Sequence, residues 1–182
     1  MKRRLSVSPI VLVLGGARSG KSAYAEARAL ALRAGRKRAL YLATAEGGDS
    51  EMSARIAAHR ARRGSAWTTR EEPLDLAGAL QEHAGPGAPI LVDCLTLWLS
   101  NLMHAKSDID AETARLCASL AKAKGPVVLV SNEVGLGIVP DNKLARDFRD
   151  HAGRIHQRVA EIARDVVFVA AGLPLALKGK TK

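Results

Sequence analysis

The sequence predicts an α/β fold, a three-layer domain around a mostly parallel central sheet. Five apolar runs of strand length recur along the chain, and helix-patterned segments separate them. The runs are unbroken stretches of Val, Ile and Leu rather than alternations with polar residues, which suits strands buried on both faces. Strands that alternate with helices imply right-handed crossovers and parallel neighbours, with ligands bound beyond the carboxyl ends of the strands.

In chain order the runs are "IVLVLG", "ALYLAT", "PILVDC", "PVVLVS" and "DVVFVA". Helical periodicity predicts helices over Lys21 to Ala34, Ser50 to Arg63, Leu74 to His83, Leu95 to His104, Ala111 to Lys124 and Asn142 to Arg164. The stretch "HAGPGAP", residues 83 to 89, is a Gly/Pro loop too short to link domains. A length of 182 residues is read as one nucleotide-binding domain, with residues 1–8 and 178–182 as flexible tails.

A net charge of +10 favours anionic partners. Aromatic residues are only 3%, so little is available to stack bases, and no nucleic-acid partner is expected. Cys94 and Cys117 form no CxxC motif and have no histidine at ligand spacing, which argues against a disulfide framework or a zinc site and for a reducing, cytoplasmic setting. The apolar run from Pro9 to Leu14 is too short for an export signal, and no run approaches the ~20 residues that span a bilayer.

Directly after the first run comes "GGARSGKS", Gly15, Gly16, Ala17, Arg18, Ser19, Gly20, Lys21 and Ser22. It fits G-x-x-x-x-G-K-[ST] between a strand and a helix, the pattern of a phosphate-binding loop, and makes the fold class P-loop NTPase-like. The glycines let successive N–H groups face phosphate oxygens, the helix start adds partial positive charge, Lys21 reaches the β and γ phosphates, and the Ser22 hydroxyl ligates Mg²⁺. "ILVDC" delivers Asp93 to the same sheet edge, as a carboxylate holding the Mg²⁺ hydration shell or capping the next helix.

The stretch "RIAAHRARR" sets His59 among arginines. At about 100° per residue Arg55, His59, Arg62 and Arg63 share one sector of a helix, with Arg60 further round. Neighbouring guanidiniums disfavour imidazolium, leaving a ring nitrogen able to attack phosphorus. Met52 and Ile56 share that sector, so a packed histidine at a core margin is the competing reading.

"GGARSGKS", "EMSARIAAHRARRGSAW", "LVDCLTLWLSNLM" and "SNEVGLGIVPDNKLARDFRDHAGRIHQRVA" occur in one order over nearly the whole chain. In this the chain resembles the bifunctional adenosylcobinamide kinase / adenosylcobinamide-phosphate guanylyltransferase family of cobalamin biosynthesis. The resemblance implies phosphorylation of the adenosylcobinamide hydroxyl with ATP or GTP. It then implies transfer of GMP from GTP, through guanylylated His59, to give adenosylcobinamide-GDP and pyrophosphate. It further implies nucleotide contacts from Ala43, Thr44, Ala45, Arg60, Ala61, Arg62, Arg63 and Glu71, and a homotrimer. The segment 131–158 follows the fourth run and reads as corrinoid site, subunit contact or plain turn. Two other functions stay open on the residues alone: a P-loop kinase for another small alcohol, which leaves His59 unused, and a nucleic-acid-stimulated NTPase.

Overall fold

The computed structural model describes residues 9–35, 37–45 and 64–180. Among the described residues seven strands form one sheet: β1 (Ile10–Gly15), β2 (Ala39–Ala43), β3 (Trp67–Glu71), β4 (Ile90–Asp93), β5 (Val127–Asn132), β6 (Asp165–Ala170) and β7 (Leu173–Lys178). Their order across the sheet is β3-β2-β4-β5-β1-β6-β7. All neighbours run parallel except β7, which returns antiparallel to β6.

Five helices are described: α1 (Lys21–Ala31), α2 (Leu76–His83), α3 (Leu95–His104), α4 (Ile109–Lys122) and α5 (Lys143–Ile162). Alternation along β1 divides the core. Ile10, Leu12 and Leu14 face a cluster with Leu80, Trp98, Leu116 and Ile155 from α2 to α5, while Val11 and Val13 face one with Ala25 and Ala29 of α1. Burial on both faces is why the five predicted runs are apolar between their ends.

The structure extends the sequence reading at the sheet margins. β3 and β7 fall outside the five runs because edge strands need only partial burial. Of β3 only Trp67 is buried, and β7 is exposed along its length and carries Pro174. Lys178, expected to begin a flexible tail, instead closes β7. Its ammonium donates to the carbonyls of Ala160 (2.8 Å) and Glu161 (3.1 Å) at the end of α5, and the Lys180 N–H donates to Asp165 (3.3 Å).

Helix starts follow their caps. Asp75, Asp108 and Asn142 accept from Gly78 (3.0 Å), Ala111 (3.0 Å) and Ala145 (2.8 Å), which sets the beginnings of α2, α4 and α5. These starts stand one or two residues from the expected ones, and α1 stops at Ala31 rather than Ala34. The other two helices, α1 and α3, have no side-chain cap. Both begin at the carboxyl edge of the sheet, after β1 and β4.

Candidate active site

The phosphate loop turns from β1 into α1 under tight packing. A Cβ on Gly15 would stand 2.5 Å from the Val169 carbonyl oxygen and 2.6 Å from Ser19 Oγ, so only glycine fits. Gly20 holds φ +93°, the left-handed region, with Gly172 Cα 3.1 Å from where its Cβ would be. The loop is braced from outside, since the Gly172 N–H donates to the Ser19 carbonyl (2.8 Å) and the Glu133 N–H to the Gly15 carbonyl (3.0 Å).

Lys21 lies across this turn, buried, its ammonium donating to the Gly16 carbonyl at 3.0 Å. Ser19 Oγ is buried with no hydrogen-bond partner, a group that a ligand oxygen or water would satisfy. Ala17 and Arg18 are exposed at the tip, and Ser22 is half-buried in the first turn of α1. The uncapped start of α1 leaves its first N–H groups facing outward with their share of the helix dipole, the arrangement an anion completes.

Asp93 ends β4, two strands from β1 with β5 between them, a backbone separation of ~10 Å. Its carboxylate accepts a hydrogen bond from the Tyr41 hydroxyl. Cys94 follows, and Thr44 locks it. The Thr44 hydroxyl accepts from the Cys94 N–H (2.6 Å) and donates to the Cys94 carbonyl (2.9 Å), while the Thr44 N–H donates to the Asp93 carbonyl (3.0 Å). Asn101 then donates to the Thr44 carbonyl (2.8 Å).

Thr44 is therefore fully buried, its hydroxyl and backbone committed within the chain. These bonds make Thr44 a clamp between the ends of β2 and β4. Ala43 and Ala45 beside it are half-buried, and Glu71 pairs with Ala43 in register on the exposed end of β3. These three share the edge with Asp93. His59, Arg60, Ala61, Arg62 and Arg63 lie outside the described residues.

Several groups at this edge escaped sequence reasoning. Asn132, ending β5 between the phosphate loop and Asp93, donates to Thr96 Oγ1 (2.9 Å), which also pairs with Cys94 Sγ (2.9 Å). Burial, and then the neighbouring Asp93, push the Cys94 thiol up, so it stays protonated and is no nucleophile. Beneath Glu133, His156 is buried with Nε2 2.7 Å from Ser131 Oγ and Nδ1 3.7 Å from the Glu133 carboxylate. Burial pushes this imidazole down despite the opposing pull of Glu133. The only sequence signal for them was the polar "SNE" closing an apolar strand.

Residues 11–177 match the model of the family described as cobinamide kinase / cobinamide phosphate guanyltransferase. The chain belongs to this family. It is 50% identical over 171 residues to the bifunctional adenosylcobalamin biosynthesis protein CobP of Pseudomonas aeruginosa, covering 93% of this chain and 97% of the relative. To the bifunctional adenosylcobalamin biosynthesis protein CobU of Salmonella typhimurium it is 40% identical, covering 93% and 99%. Membership carries the two activities in the family's description and makes the enzyme a kinase and guanylyltransferase of cobalamin biosynthesis, with ATP and GTP as fitting nucleotide substrates. It also settles the acceptor between cobinamide and another small alcohol. Among solved structures a DnaB-like replicative helicase, studied with primase, superposes at TM-score 0.51 over 88% of this chain and 46% of its own. At 13% identity this shows the shared P-loop fold alone. No described helix is long and apolar enough to cross a membrane.

Proposed function

We propose that Gly15–Ser22 holds the triphosphate for both reactions and that His59 carries the guanylyl group. In the kinase step the adenosylcobinamide hydroxyl oxygen attacks the γ-phosphorus of ATP or GTP, the bond from that phosphorus to the β,γ-bridging oxygen breaks, the nucleoside diphosphate leaves and the hydroxyl proton passes to solvent. Lys21 and the open N–H groups of α1 take up charge on the phosphates. In the second step a neutral ring nitrogen of His59 attacks the α-phosphorus of GTP, forming a P–N bond and releasing pyrophosphate. A phosphate oxygen of the phosphorylated corrinoid then attacks the same phosphorus, breaking the P–N bond and giving adenosylcobinamide-GDP with the imidazole restored. Two displacements replace a direct encounter of two phosphate anions.

The observation that carries this reading is the loop itself, with its uncapped helix start, the unsatisfied Ser19 hydroxyl and buried Lys21 together. Ser22 and Asp93 supply one hydroxyl and one carboxylate, a sparse oxygen set that fits Mg²⁺ arriving with phosphates and water. When bound, that ion offsets charge on the β and γ phosphates. Ala43, Ala45 and Glu71 line the nucleoside side, and Arg60 to Arg63 meet the phosphates. Fourteen residues on from Ala45 stands His59, a span of about 20 Å as helix and about 46 Å extended, enough to bring the ring to the loop.

The enzyme acts in the cytoplasm without nucleic acid, as a homotrimer. Leu173, Leu175 and Leu177, exposed along edge strand β7, support a covered surface there. The test uses GTP labelled at the α or the γ phosphate with Mg²⁺, followed by denaturation. Label from the α position alone is expected on the protein, stable to alkali, labile to acid and absent in His59→Ala. Label from the γ position, or undiminished label in that variant, refutes the reading.

A further inference from the structure

We infer that the corrinoid ring docks on an apolar rim beside the phosphate loop, formed by Leu136, Ile138 and Val139 and leading along the chain to a groove under Leu144 and Phe148. This rests on the kinase reading above, which brings the corrinoid hydroxyl to that loop. The segment between β5 and α5 leaves the sheet at Glu133, whose N–H is bonded to Gly15 at 3.0 Å, so the rim starts at the phosphate loop itself.

The rim is held rather than loose. Glu133 accepts from the Gly135 N–H (2.5 Å) at one end, and at the other the Arg146 guanidinium donates to the carbonyls of Pro140 (2.9 Å) and Asp141 (2.6 Å). Between these anchors Leu136 is 82% exposed and Ile138 98% exposed. Large aliphatic side chains fixed outward in a contiguous stretch mark a surface made to be covered.

Helix α5 extends the platform. It has 20 residues, ~30 Å, against ~20 Å for the strands, and its buried positions Ala152, Ile155, His156 and Val159 begin only at its middle. Its first turn, which follows β5 at the carboxyl edge, is exposed at Lys143 and Leu144. There it shares with α3 a groove of about 330 Å³ lined by Met103, Leu144 and Phe148, with Ser100 and Asn142 as polar members.

Cobinamide suits this surface. Its macrocycle has broad apolar faces for the rim, carboxamides around its edge for groups such as Asn142 and Ser100, and a side arm that carries the alcohol toward the loop. The groove is large enough for part of the ring's edge, and the rim takes its face. A second copy of the chain has a separate apolar edge at β7, on the other flank of β1.

The test measures cobinamide binding by equilibrium dialysis, read from corrin absorbance, in Ile138→Asn and Leu144→Asn. At least tenfold weaker binding is expected in each, at the sedimentation coefficient of the parent enzyme. Protein labelling from α-labelled GTP involves no corrinoid. It reports separately on the loop's hold on the triphosphate, which the kinase reading shares, so failure of that reading is distinguishable from failure of this one. Amide exchange over 134–140 in the parent enzyme should slow when cobinamide is added, which tests the rim without any substitution. Unchanged binding in both variants, unchanged exchange, or a shift to a smaller assembly, which would make the rim a contact between copies, overturns the proposal.

Discussion

Replacing Thr44 by Val keeps shape and burial and removes one hydroxyl. That hydroxyl accepts from the Cys94 N–H at 2.6 Å and donates to the Cys94 carbonyl at 2.9 Å, in a fully buried setting. The carbonyl keeps a second donor, the Trp98 N–H at 3.0 Å, so its loss is the ordinary net of one hydrogen bond, about 1 kcal/mol. The Cys94 N–H is left buried without a partner, which costs about 1–3 kcal/mol. The added methyl returns about 1 kcal/mol of apolar transfer. The net is a destabilisation of about 2 kcal/mol, which for a domain of 182 residues is a fall in Tm of about 4–8 °C. Thr44→Ser keeps the hydroxyl and loses the methyl, at about 1 kcal/mol. Calorimetry on the parent and both variants checks the ordering. A Tm within 2 °C of the parent for the Val form, or a Ser form that falls as far as the Val form, refutes the clamp.

Lys21→Ala should lower kinase turnover about a hundredfold by removing a charged donor from the phosphates, with Tm little changed, as steady-state assays and calorimetry would show. His156 is held neutral by burial, so its contribution to stability is complete above the unfolded histidine range near 6.5. It is lost as pH falls below that range toward the depressed folded value; denaturant midpoints should drop across that window, and less so in His156→Gln. Asp165 is buried, which pushes its carboxyl up, but hydrogen bonds from Arg164 and the Lys180 N–H, the charge of Arg164 and the bond from Arg28 outweigh this and leave it lowered. Its stabilisation is present above the unfolded carboxylate range near 4 and lost on acidification through the folded value. Asp165→Asn leaves Arg28, paired at 3.1 Å, without its counter-charge. It should cost about 2 kcal/mol near neutral pH in urea unfolding, with a shallower acid limb.

Legibility in the sequence followed burial and locality. The five central strands were readable because both faces are covered, so their side chains are apolar except near the strand ends. β3 escaped because only Trp67 faces the core, and β7 because its leucines face outward around Pro174. The phosphate loop was readable because its glycines, lysine and serine are contiguous, and Asp93 because it ends a strand at the right edge. Tyr41 and Asp93 are 52 residues apart and Asn132 and Thr96 36, so only the strand order brings each pair together. The Thr44 clamp is hidden in the sequence for the same reason: its hydroxyl bonds a residue 50 positions away.

The hairpin of β6 and β7 touches the nucleotide loop where Val169 stands beside Gly15 and where Gly172 meets Ser19 and Gly20. The outer side of the same hairpin presents three bare leucines. Any body that seats itself on those leucines presses on a strand whose first turn props up the phosphate cradle. Contact at the chain's end and grip on the nucleotide are thus mechanically joined through the Ala171–Gly172 turn, and fusions at this end should be felt first as altered affinity for GTP, measured by titration, rather than as loss of fold.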